Sequence, residues 1–214
     1  MNIYLIIIIC ILVAHYAAHL AVELVNTAHI SRTIPPEFDG LYEPERYATS
    51  RAYIKETTGF SLFKSTCMLV ITLVFIIAGG FNYVDSVARS FQKGPIMTGL
   101  IFAGVIMMGS LIISLPFSAY KTFVIESRFG FNKTTPYVFF SDFIKMVLLS
   151  ALIGGALFAM VVFLFREFSP YAWIYCWIAV IAFEVIFQFI APAIIMPLFN
   201  TFTPLEEGEL KSAI

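Results

Sequence analysis

Charge is scarce in this chain. Of its 214 residues, 13 are Lys or Arg and 14 are Asp or Glu, so only 13% are charged. Soluble domains carry about 25%, and the shortfall excludes that class. A formal net charge of -1 offers no general basic field, so nucleic acid is not an expected partner. Cysteine is scarce as well. Cys10, Cys67 and Cys176 all lie in apolar runs without a CxxC spacing, which reads as small buried hydrophobes rather than a zinc site. No basic n-region precedes the first apolar run, and that run is too long for a cleavable signal peptide. An HExxH motif is also lacking: His15–His19 reads HYAAH, with no glutamate in the second place.

Apolar sequence is what the chain has in abundance, at 60% of residues. A span of the hydrocarbon core needs about 20 apolar residues. Five segments qualify, at about 3–25, 60–77, 95–115, 143–165 and 171–190. The expected fold class is therefore all-α, a polytopic membrane helix bundle of about five transmembrane helices. Basic residues are uneven between its two sides. Ten fall in or beside the long connections and the C-terminal end, against only Arg89, Lys93 and Arg166 on the other side. The positive-inside rule then puts the N-terminus outside and the long connections and C-terminus in the cytosol.

Within the spans, ionisable residues are costly and need an interior place or a partner. His15, His19 and Glu23 recur at i, i+4 and i+8 in the first span, one stripe on a helix. Ala14, Ala17, Ala18 and Ala21 around them permit close helix approach. The stripe reads as a hydrogen-bonded polar lining, as a weak metal site, or as placement near the membrane interface. Glu184 with Gln188 makes a similar i, i+4 pair in the fifth span. Glu184 is expected to face a wet interior or to be a neutral, hydrogen-bonded acid.

The connections differ in character. Pro35-Pro36 stops one element, and Pro44 opens a helix to about Thr58 that lies on the membrane surface, packs under the bundle, or is a solvated connecting helix. Gly79-Gly80 begins a short turn through Asp85, Arg89 and Lys93. Arg166–Pro170 is short enough to make the last two spans an antiparallel hairpin. Small residues at Ala151, Gly154, Gly155 and Ala156 predict tight helix packing. Pro192 and Pro197 are expected to break the fifth helix. Thr203, Pro204 and Glu206 then have the grammar of a helix start. Its apolar side, Leu205, Leu210 and Ile214, has no counterpart, so the chain reads as the N-terminal part of something longer.

The stretch 116–136, PFSAYKTFVIESRFGFNKTTP, is too aromatic and too charged for a spacer loop. Glu126 and Asn132 are expected to be struts bonded to the loop backbone. Phe129 and Phe131 read either as anchors at the membrane interface or as a surface on which another part docks.

Three blocks carry a resemblance: PEFDGLYEPERYATSRAYI at 36–54, FVIESRFGFNKTTP at 123–136 and IMPLFNTFTPLEEGELKSAI at 195–214. Together they resemble the N-terminal membrane domain of the type I CAAX prenyl proteases, across essentially the whole chain. That resemblance implies a helix bundle around an intramembrane chamber, in an endoplasmic reticulum or bacterial inner membrane. It implies a zinc metalloendopeptidase that cleaves near the C-terminus of prenylated proteins, or acts in membrane-protein quality control. Its zinc motif lies beyond PLFN, so residues 1–214 would form the membrane domain, with the zinc peptidase segment as a partner outside it and no catalytic residue within. Glu126, Phe129, Gly130, Phe131, Asn132 and Thr135 match one block of the family. Pro197, Leu198, Phe199, Asn200, Phe202, Pro204 and Leu205 match the other. These are expected to line the chamber or dock the peptidase segment. The alternative is a stand-alone, non-catalytic membrane binding or scaffold protein.

Overall fold

The computed structural model describes residues 2–29 and 43–202, together with 207, 208 and 211. Every regular element among them is helical. Helix α1 runs Ile3–Ala28, α2 Pro44–Ile77, α3 Gly80–Ser90 and α4 Pro95–Tyr120, the last continuing as a π-turn over Lys121–Glu126. After a connection come α5 at Pro136–Leu149, a π-turn at Ser150–Gly154 and α6 at Gly155–Glu167. Then follow α7 at Ala172–Ile190, a π-turn at Ala191–Ile195 and α8 at Met196–Phe199. Among the described residues, five stretches are long and apolar enough to cross a bilayer: Ile3–Ala28, Pro44–Ile77, Pro95–Glu126, Pro136–Glu167 and Ala172–Phe199.

Burial among the described residues is sparse relative to a soluble protein. Among the described residues only Val84, Ala88, Ile125 and Ala172 are buried apolar residues, while Ile, Leu, Val and Phe side chains face outward along the spans. Lipid is as apolar as these side chains, so such faces need no protein cover. Helices meet the other demand of the bilayer by pairing each backbone polar group internally. The chain is an integral, multi-pass membrane protein.

Several local expectations are corrected. The surface helix and the second span are one uninterrupted helix, α2. No proline follows Pro44 within it, and Thr57 turns its hydroxyl onto the Tyr53 carbonyl at 2.6 Å, so the polar and apolar halves share one hydrogen-bond ladder. The turn after it is instead the helix α3, whose Val84 and Ala88 are buried while Asp85 and Arg89 pair at 2.7 Å on the outer face. The hydrogen bond and the charge of Asp85 hold the exposed Arg89 guanidinium above its ordinary pKa. Pro116 does not open a loop but lies inside α4. Pro192 and Pro197 do not end the fifth span. The wider π-turn at Ala191–Ile195 absorbs Pro192, and the helix ends only at Asn200, whose backbone is extended. The elements assigned to Pro35-Pro36 and to Thr203, Pro204, Leu205, Glu206, Leu210 and Ile214 lie outside the described residues.

The chain divides into two compact units, Met1–Gln92 with Ile101–Thr135 and Lys93–Leu100 with Pro136–Ile214. In the first, a Tyr16–Thr66 hydroxyl contact at 2.6 Å ties α1 to α2. Gly79 turns the chain at φ 74°, and Gly80 lacks the Cβ that would strike the Phe75 ring. Phe75 meets Phe81 of α3 edge-on at 5.1 Å. In the second, α6 and α7 form the expected hairpin, with Phe168 and Tyr175 at 5.0 Å. Small residues admit neighbours there: a Cβ on Gly99 would lie 3.1 Å from Phe158, and one on Gly155 3.9 Å from Leu100.

Candidate functional site

The stretch singled out for its aromatics and charges forms a capped helix end bound to α2. Gly130 has φ 75°, a left-handed conformation that costs other L-residues about 1–2 kcal/mol. Around it, the Phe131 amide donates to the Glu126 carbonyl at 2.9 Å and the Gly130 amide to the Ser127 carbonyl at 3.2 Å. This is the hydrogen-bond pair of a Schellman cap, which satisfies the last carbonyls of a helix. The Asn132 amide joins it, donating to the Glu126 carbonyl at 3.2 Å.

Side chains extend the cap. Asn132 donates from Nδ2 to the Ser127 hydroxyl at 3.0 Å and accepts at Oδ1 from the Thr134 amide at 2.7 Å. Glu126 contributes its backbone carbonyl to the turn, while its carboxylate lies 3.9 Å from Lys121. Ile125, 1% exposed, is the largest fully buried side chain among the described residues.

Helix α2 supplies the other half. Tyr53 meets Phe129 edge-on at 5.3 Å and Phe131 at 4.8 Å. One turn on, Glu56 pairs with Arg128 at 2.5 Å. Residues at i and i+3 share a helix face, so α2 presents a ring and a carboxylate together. Phe131 still leaves 58% of its surface open. Aromatic edges, an amide and an ion pair are the chemistry of positioning a turn.

The second family block is anchored in its own unit. Lys145 of α5 donates to Asp142 Oδ1 at 3.0 Å and to the Leu198 carbonyl at 2.9 Å. Its ammonium also lies 5.6 Å from the Phe199 ring centroid. The Leu198 carbonyl is among those at a helix end that lack an intrahelical partner, and a cation there opposes the helix dipole favourably. Pro197, Leu198 and Asn200 are exposed and Phe199 is half-buried.

The remaining candidates are more dispersed. Thr135 is exposed in the connection before α5. His15 is exposed on α1, while His19 Nε2 lies 4.0 Å from Glu23 Oε1. The other ring nitrogen of His19 is buried without a hydrogen-bond partner among the described residues. Glu184 is exposed on α7 and makes no hydrogen bond or ion pair among the described residues. Among those residues, no three His, Cys, Asp or Glu side chains converge to hold a metal ion. The donors present therefore do not fit the zinc that the resemblance implies.

Sequence reasoning missed Tyr53 and Glu56 as partners of the turn, and Asp142 and Lys145 as partners of the PLFN segment. A signal existed for Lys145, an ammonium near the start of an otherwise apolar span, because such a charge needs an acceptor. Tyr53 and Glu56 carried none that separates them from ordinary surface residues of a helix.

Comparison with known proteins agrees with this architecture. Residues 25–201 match the family model described as "CAAX prenyl protease N-terminal, five membrane helices". A Schizosaccharomyces pombe relative described as "Probable CAAX prenyl protease 1" is 32% identical over 216 residues, covering 94% of this chain and 46% of its own length. An Oryza sativa "CAAX prenyl protease 1 homolog" is 34% identical over 189 residues, covering 85% of this chain and 44% of its own. The crystal structure of S. mikatae Ste24p superposes with a TM-score of 0.92 at 30% identity, over 100% of this chain and 51% of that one. The chain thus spans about half the length of these relatives. The family-model match over residues 25–201, the five membrane helices and the shared fold make the chain a member of the CAAX prenyl protease family, as its N-terminal membrane domain.

Proposed function

We propose that this domain is the membrane scaffold of a zinc metalloendopeptidase that acts on prenylated proteins near their C-termini or on membrane proteins in quality control. The observation that carries the reading is the match of the entire chain to half of a Ste24p structure. In this reading the chain supplies spans and a surface for a peptidase segment, and that segment supplies the zinc ligands. No catalytic step is assigned to the chain itself, because residues 1–214 carry no HExxH motif.

The Phe129–Asn132 turn and the Pro197–Asn200 segment are its two docking elements. A capped turn and a lysine-anchored helix end are the rigid supports that a site built elsewhere requires. The exposed Phe131 is the contact residue of the first. Glu184 of α7 is a residue of the chamber wall in this reading. By the charge asymmetry, the N-terminus is outside and both docking elements are cytosolic, in an endoplasmic reticulum or bacterial inner membrane.

Fusion to the zinc peptidase segment of a family member tests this. The joined protein is expected to bind zinc and to cleave a prenylated C-terminal peptide in that segment's presence. Zinc binding without cleavage of prenylated peptides or membrane-protein substrates would overturn the protease reading.

A further inference from the structure

The first unit contains a second feature, unrelated to the turn. Between α2 and α4, under α3, lies a cavity of about 340 Å³. Met68, Ile71 and Phe75 of α2, Phe81 of α3, and Val105 and Gly109 of α4 form its wall. Small-molecule sites begin at about 300 Å³, so the space is large enough for a ligand.

Its chemistry restricts the occupant. The hydroxyl-bearing residues of the wall are Thr72 and Ser110, and no charged residue contributes. A buried water needs about two to four polar partners, so this wall favours hydrocarbon over water. A peptide would bring backbone amides that find no partners there. A lipid headgroup would bring charge with nothing to meet it. A hydrocarbon chain satisfies every one of these conditions.

Geometry and setting agree. The wall runs from Met68 to Phe75 on α2 and from Val105 to Ile113 on α4, about 10–12 Å at the rise of a helix. Ile71, Phe81 and Val105 are 37%, 44% and 45% exposed. The cavity is therefore open to the apolar outer surface of α2 and α4. Phe75 and Phe81, in edge contact, mark its end beneath α3.

We infer that this slot is a lipid-binding site that holds a segment of one acyl chain of a bilayer phospholipid. The chain enters from the lipid-facing side and lies along α2 and α4. Binding gives it close contacts with an ordered wall and removes a void that would leave wall atoms without neighbours. The occupant follows from the membrane setting and holds whether or not the domain serves a peptidase.

Gly109 offers a direct test. A Cβ there would meet nothing within 4 Å, so a leucine would grow into the slot, and it is a better helix former than glycine. Gly104, on the same helix, also faces open space but is not part of the wall. The full chain is reconstituted in phosphatidylcholine vesicles with a trace of phosphatidylcholine carrying a diazirine in its acyl chain. After irradiation, adducts are mapped by peptide mass spectrometry. Adducts are expected to concentrate on 68–75 and 105–113, to fall at least tenfold in Gly109→Leu, and to persist in Gly104→Leu. Circular dichroism checks that both variants keep their helices. Val105→Phe, which fills the slot from a different position, gives the same readout should Gly109→Leu fail to fold. Adducts spread evenly over all five spans, or undiminished in the filled variants, would overturn the site. Displacement by a free isoprenoid alcohol but not by an equal dose of phosphatidylcholine would overturn its assignment to a phospholipid. So would chain-to-chain crosslinks across the same residues.

Discussion

Alanine in place of Gly130 tests the capped turn where its geometry is most demanding. The backbone there is held at φ 75°, and a Cβ in that conformation costs about 1–2 kcal/mol. Alanine also restricts the unfolded chain, which returns about 0.4–1 kcal/mol. The net loss is about 1 kcal/mol, with no steric addition, because a Cβ at Gly130 meets no atom within 4 Å. Opening of the turn should thus become about fivefold more frequent. Hydrogen exchange of the Phe131 and Asn132 amides reports it, since both are bonded to the Glu126 carbonyl. Asparagine tolerates the left-handed region, so Gly130→Asn should lose less. Gly59 is the control: its φ is not positive and its Cβ would also meet open space. Alanine there should leave exchange at Phe131 and Asn132 unchanged. Equal exchange in Gly130→Ala and the parent would refute the strain argument, and so would an equal rise in Gly59→Ala.

Three further outcomes follow from other contacts. Tyr53→Ala removes two edge-on aromatic contacts, each worth about 0.5–1.5 kcal/mol. It should loosen the turn by about 1–3 kcal/mol, whereas Tyr53→Phe should be nearly silent; equal thermal melts for Tyr53→Ala and the parent in detergent would count against the clasp. Lys145→Met leaves the Leu198 carbonyl and Asp142 without their ammonium. A loss of about 1 kcal/mol is expected for this half-exposed group, read as faster exchange of the Asn200 amide, and no change would deny the anchor. Gly80→Val drives a side chain into the Phe75 ring and should cost about 1–3 kcal/mol by overpacking. A Phe75→Ala background should relieve much of that cost, and an undiminished cost there would show that the ring is not the obstacle.

Legibility from sequence followed the range of the interactions. Each span is a local property, the hydropathy of about 20 neighbours, and all five were readable. Element ends were less so. Pro116 and Pro192 read as breaks because a proline inside a helix lacks an amide, yet both remain in helical runs, Pro192 within a π-turn. The helix α3 hid behind Gly79-Gly80 because its apolar residues, Phe81, Val84 and Ala88, make a face too short to register as a span. In the turn, Asn132 was recognisable as a local strut, since its partners Ser127 and Thr134 are close in sequence. Tyr53 and Glu56 were not, because 72 residues separate Glu56 from Arg128.

Sequence by itself determined the membrane class, the number of spans and, through three short blocks, the family. These depend on composition and on local order, which need no folding to be read. Tertiary structure alone decided what holds the two blocks in place: Tyr53 and Glu56 of α2 for the turn, Lys145 of α5 for the PLFN segment. It alone revealed the slot between α2 and α4, whose wall residues read as ordinary lipid-facing side chains until the helices are packed together. Contacts between segments distant in sequence arise from helix packing, and no window along the chain contains them.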